Sequence, residues 1–135
     1  MANALYDLGR ESFLKGTLDY DTSNIKLHLI DAADYVVNLV TDQFEDIIAA
    51  AAEVATSANF ASKTTTLGVA DAADIVLSTV TGDPSEALAI FEDTGTPATS
   101  QLIAYIDTAT GLPVTPNGGD ITVQWDAGAN RIFKL

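Results

Sequence analysis

Residues 63–107 read "KTTTLGVADAADIVLSTVTGDPSEALAIFEDTGTPATSQLIAYID", and their pattern decides the fold class. Four short runs, "KTTTLGV", "DIVLSTV", "EALAIFED" and "QLIAYID", are parted by "ADAAD", "TGDPS" and "DTGTPATS". β-branched and aromatic residues fill the runs, whereas Gly, Pro, Asp and Ser fill the gaps. A period of roughly 10–12 residues in this form predicts an antiparallel sandwich or meander. Working outward, "NIKLHLI" (24–30) alternates Ile25, Leu27 and Leu29 with Lys26 and His28, the period-2 mark of a half-buried strand with His28 on its polar, exposed side.

Two helices are expected beside these strands. Residues 3–15 place Leu5, Tyr6, Leu8 and Phe13 on one broad face, with Gly16 as the stop. Phe44, Ile47, Ile48, Ala51, Ala52 and Ala55 recur at helical spacing, and Asp42 followed three residues on by Glu45 resembles a capping box. The fold class is therefore α+β, mainly β: an antiparallel sandwich or meander, a short N-terminal helix (arm 1–16), and a central helix over about 42–52. The 135 residues suffice for one domain, 1–135, with a modest core. Residues 27–41 and 67–81 echo each other, but two copies do not make a solenoid.

Composition excludes several functions. There is no cysteine, so disulfides and thiolate metal sites are out. No apolar run approaches the roughly 20 residues of a membrane span, and the N-terminus lacks the apolar core of a secretory signal. The net charge of −13 repels phosphate backbones and argues against nucleic-acid binding. The charge is also unevenly placed. Residues 27–130 hold 15 acids and the single base Lys63, while the two ends together carry +1 from Arg10, Lys15, Lys26, Arg131 and Lys134. One reading is an ordinary solubilising surface. The other is a body facing solvent, with termini facing an acidic partner.

Candidate chemistry is sparse. His28 is the only histidine, and no nucleophile elbow, phosphate-loop lysine or zinc-protease motif is present. An enzyme is not expected, nor any cofactor. Asp31 with Asp34, and Asp71 with Asp74, are the best hard-cation pairs, although Asp in such positions more often serves turns. Gly118 and Gly119 precede Asp120 rather than a helix and a lysine, so they read as turn residues, not a phosphate cradle. Tyr35, Tyr105 and Trp125 could stack on sugars, or fill the core.

The last 35 residues, "QLIAYIDTATGLPVTPNGGDITVQWDAGANRIFKL", parse as a four-strand meander, with "LPVT" as an edge strand because Pro113 lacks a ladder donor. This block, together with the start "MANALYDLGRESFLKG", resembles a family of small structural proteins encoded by tailed bacteriophages, along the full length of the chain. The resemblance implies a non-enzymatic virion protein and carries no catalytic residue. Acidity favours the outer shell over the DNA-lined interior. The expectation is a head decoration (cement) protein on the outer capsid surface that binds and stabilises assembled major capsid protein or other virion proteins. A homo-oligomer is expected, and a trimer would fit local threefold sites. Expected contacts are Leu5, Arg10, Phe13 and Lys15 in the N-terminal arm, with Arg131 and Phe133 in "RIFKL". The alternatives are a head–tail connector, a tail or fibre-attachment component, or a host-surface glycan-binding module.

Overall fold

A computed structural model describes residues 3–135. Its strands are β1 (Ala4–Leu5), β2 (Ile25–Ile30), β3 (Glu53–Thr56), β4 (Val69–Ala70), β5 (Ile75–Leu77), β6 (Ala87–Glu92), β7 (Leu102–Ile106), β8 (Ile121–Val123) and β9 (Phe133–Lys134). One α-helix, α1 (Asp7–Lys15), joins them among the described residues. The fold is α+β and mainly β, with every strand pair antiparallel.

Five strands build one sheet in the order β1-β7-β6-β2-β3. β2 and β6 lie at its centre, in register from Ile25 opposite Glu92 to Ile30 opposite Ala87. Both faces of this sheet are covered. On one, Ile25, Leu27, Leu29, Leu88, Ile90 and Ile103 pack with Phe60, Ile75, Leu77 and Val80. On the other, Ile30, Ala87, Ala89, Phe91, Leu102 and Tyr105 meet Tyr6, Tyr35, Ile48 and Ala52. Each fully buried aliphatic side chain contributes about 1.5–3 kcal/mol, so a doubly covered central strand is where the fold is held most firmly.

Coverage of the second face corrects the expectation for β2. Residues 31–52, which bring Tyr35, Ile48 and Ala52, lie over it, so His28 is only 3% exposed rather than on a solvent face. Alternation identified the strand, but whether its polar phase meets water depends on a segment distant in sequence.

The expected central helix over 42–52 is replaced by two short 3-10 turns, Glu45–Ile47 and Ala50–Ala52. Tertiary hydrogen bonds take the backbone first. Glu45 N–H donates to Ser100 O at 2.8 Å, Leu102 N–H to Gln43 O at 2.8 Å, and Phe44 bridges Gln101. The supposed apolar helix face is not buried as a unit either, because Ile47 stays exposed. Nor does Asp42 cap a helix. Its carboxylate accepts Tyr35 Oη–H at 2.7 Å and Asn38 N–H at 2.8 Å.

The C-terminal meander is also corrected. β7 pairs with β6 and β1, β8 with β5, and β9 with β4. Val114 spends both backbone groups on Ser85, at 2.8 and 2.9 Å. The "PNGG" turn is stitched to residue 80, with Gly118 N–H donating to Val80 O and Val80 N–H to Gly119 O. Gly119 N–H donates to Asn117 Oδ1. Both glycine amides are thus engaged within the fold, as turn residues require. Strands of two or three residues are too short to hold a hairpin alone, and earlier strands offer longer-range partners.

At the N-terminus, residues 4–5 form an edge strand and the helix starts only at Asp7. Gly16 ends it with φ 70°, as expected. Gly9 is the contact that seats α1 on β7. A Cβ there would lie 2.5 Å from Leu102 O, so only glycine permits this approach.

Candidate functional site

Two regions gather the chemistry-bearing residues. The first is a corner where the chain ends meet. The ring of Phe13 on α1 lies 6.0 Å from that of Phe133 on β9, and Tyr20 meets Phe133 edge-on at 5.8 Å. β4 and β9 pair beside them, and Leu135 N–H donates to Gly68 O at 3.0 Å. On the segments that build this corner, Leu14 beside Phe13, Leu67 before β4 and Leu135 after β9 are exposed at 90%, 88% and 60%, while Val36, Val40, Ile47 and Val76 are exposed elsewhere. Lys15, Arg131 and Lys134 are exposed there too. Lys15 pairs with Glu11, and Arg131 Nε lies 3.9 Å from Asp71 Oδ2. A depression of about 420 Å³ lies beside Arg131, lined by Thr64, Thr66, Val69, Asp71 and residues 127–129.

Two of the four non-glycine residues with positive φ among the described residues belong to this corner, the others being Ser62 and Thr79. Leu67 (φ 57°) and Arg131 (φ 45°) occupy the left-handed region two residues before β4 and β9 begin. For a residue with a Cβ that conformation costs roughly 1–2 kcal/mol.

The corner sorts the expected contact residues. Arg10, Lys15 and Arg131 are exposed, while Phe13 and Phe133 are half-buried against each other. Leu5 is corrected to a core residue, 8% exposed and paired in β1 with Ala104. The exposed leucines 14, 67 and 135 were not anticipated. Single leucines carry no sequence signal until the fold shows which of them stay outside.

The second region is a buried polar cluster on the face covered by residues 31–52. His28 Nε2 lies 2.8 Å from Glu45 Oε1 and 3.8 Å from Glu53 Oε1, and its Nδ1 is 2.8 Å from Thr56 Oγ1. Its ring stacks on Phe91 with centroids 4.5 Å apart. Glu53 and Thr56 are three apart, so a regular strand would point them to opposite faces. The β2–β3 ladder slips between Leu29 and Ile30, and this bulge lets both reach His28. Burial, reinforced by the neighbouring Glu45 carboxylate, pushes the Glu53 carboxyl up to about 7. Burial likewise lowers His28, against the pull of Glu45. Residues 28, 45, 53 and 56 follow no motif spacing, so the cluster was invisible in the sequence.

The aspartate pairs separate in role. Asp31, Asp34 and Asp83 bring carboxylate oxygens within 4.8 Å of one another. Asp31 Oδ1 also accepts Ala33 N–H at 2.9 Å, the turn chemistry its residue type favours. Asp74 Oδ1 accepts Trp125 N–H at 3.0 Å, and Asp71 faces Arg131. Tyr35 and Tyr105 are buried and meet edge-on at 6.1 Å, while Trp125 lies against Phe60 with its Nε1–H donating to Ala73 O.

No protein-family model matches the chain, and none of the curated proteins matches it significantly. No helix among the described residues is long and apolar enough to cross a membrane.

Proposed function

We propose that this chain is a non-enzymatic structural protein of a bacteriophage virion, a decoration protein that binds assembled major capsid protein on the outer surface of the head. The observation that carries the proposal is the corner built on Phe13 and Phe133. There the segments near both chain ends meet beside β4, and these segments carry the exposed leucines 14, 67 and 135 and the exposed bases Lys15, Arg131 and Lys134 on a chain that is acidic overall. Exposed apolar residues grouped within one region mark interaction surfaces, and the bases favour an acidic partner surface. The resemblance carried by "IAYIDTATGLPVTPNGGDITVQWDAGANRIFKL" supplies the virion setting, and a charge of −13 suits a surface kept away from packaged DNA.

On this reading the protein binds the shell and not the free subunit, so it stabilises the shell by mass action. Sedimentation of the purified protein with assembled shells and, separately, with unassembled capsid protein tests the proposal. Saturable binding to shells alone is expected, and equal or absent binding to both contradicts it. Deleting residues 1–16 is a poor probe, because it also strips Leu5, Tyr6 and Gly9 from the sheet and its core. Point changes on the exposed corner avoid that ambiguity.

A further inference from the structure

We propose that His28, Glu45 and Glu53 bind one divalent transition-metal ion, with zinc the best match to the donors. One imidazole nitrogen and two carboxylate oxygens, from β2, the Glu45–Ile47 turn and β3, lie within 4.8 Å of one another. Zinc bonds to nitrogen and oxygen are about 2.0–2.2 Å long, which sets donors roughly 3.3 Å apart in a tetrahedron. The separations from Nε2, 2.8 Å to Glu45 and 3.8 Å to Glu53, bracket that value. Each separation from Nε2 would change by about half an ångström to reach it.

The surroundings are those of a held ligand set. Thr56 Oγ1 sits on Nδ1, leaving Nε2 to face the carboxylates. The hydroxyl can donate to Nδ1 or accept from it, so it tolerates the tautomer change in which the single ring proton passes from Nε2 to Nδ1 by exchange with solvent and Nε2 takes the metal. Stacking on Phe91 fixes the ring plane. Two carboxyl groups and one imidazole nitrogen converge on a single point, so one cation there could be held by all three. Glu45 is nearly buried, whereas the Glu53 side chain is 24% exposed and opens a path for the ion and a water as fourth ligand. Nitrogen and mixed burial favour zinc over magnesium, which keeps its own waters and prefers all-oxygen sites.

This inference is independent of shell binding. The test is calorimetric titration of chelator-washed protein with zinc chloride, alongside thermal unfolding. One equivalent should bind with a dissociation constant of about 10 µM or tighter, and should raise the unfolding midpoint, whereas magnesium should do neither. Glu53→Gln keeps the side-chain shape at a partly exposed position. It should weaken zinc at least about tenfold without lowering the metal-free midpoint. Thr56→Val should weaken zinc by a similar factor through loss of the hydrogen bond to Nδ1. No binding at about 100 µM zinc, or zinc binding unchanged in Glu53→Gln, overturns the proposal; the latter result would assign the ion to exposed surface acids.

Discussion

Phe13 and Phe133, 120 positions apart in the chain, pack ring against ring at 6.0 Å, and this contact makes the two ends of the protein into one surface. The uneven charge of the sequence acquires a location from it. Lys15, Arg131 and Lys134 lie at the end of α1 and on or beside β9, whereas Lys26 lies on β2 and pairs with Asp93.

Leu67 separates stability from binding. It is an exposed leucine in a left-handed conformation, so it strains the fold and buries nothing within it. Leu67→Asn suits that backbone far better and removes the apolar side chain. The variant should unfold at the same or a higher temperature, gaining up to about 1 kcal/mol, yet bind shells several-fold more weakly. Loss of stability together with loss of binding would mean that Leu67 supports the fold instead.

Gly9 is required by close approach. Alanine there would drive its Cβ into Leu102 O, forcing α1 off β7. Gly9→Ala should destabilise the protein by about 1–3 kcal/mol in urea unfolding, despite alanine's higher helix propensity. An unchanged or raised midpoint would contradict this seating of α1.

All four tyrosines, Tyr6, Tyr20, Tyr35 and Tyr105, titrate above their ordinary value, chiefly because burial disfavours the phenolate. The folded pKa exceeds the unfolded one near 10, so the stability these groups contribute is complete below about pH 10 and is lost as pH rises beyond it. Tyrosinate absorbance should therefore stay low in the folded protein and appear together with loss of the circular-dichroism signal. Ionisation near pH 10 with the fold intact would contradict the burial.

Asp93 sets part of the acid limb. Lys26 Nζ at 2.7 Å from its carboxylate, aided by Gly95 N–H at 2.9 Å, holds its pKa below the usual value. The stability it contributes is present above the unfolded value, about 3.9, and is lost as pH falls through the lower folded one. Asp93→Asn should cost at most about 1 kcal/mol at pH 7 and flatten the fall in stability below about pH 4. An unaltered acid limb in urea titrations would show that the pair contributes nothing.

Local patterns carried the class of the fold but not its connections. β2, β6 and β7 were legible because alternation and β-branched runs report directly on strand geometry, and Gly16 marked the end of α1 for a local backbone reason. The central helix failed because helical spacing at Phe44–Ala55 competed with hydrogen bonds to Gln101 and its neighbours, partners no local window contains. His28 was misplaced for a related reason, since residues 31–52 cover it. The His28–Glu45–Glu53 cluster depends on a one-residue slip in the β2–β3 ladder, which leaves no trace in composition. The corner residues were partly legible. Charge pointed to the ends of the chain, but only the packing of Phe13 on Phe133 revealed Leu14, Leu67 and Leu135 as their exposed neighbours.

The central claim is that this corner docks on an assembled shell. The most direct measurement compares binding of the wild-type protein and of a Leu14→Glu, Leu67→Glu double variant to assembled capsid shells by quantitative co-sedimentation. Both leucines are exposed, so the variant should keep its circular-dichroism spectrum. The expected result is saturable wild-type binding and at least a tenfold weaker affinity for the variant, about 1.4 kcal/mol or more. Wild-type occupancy by the folded double variant would contradict the account.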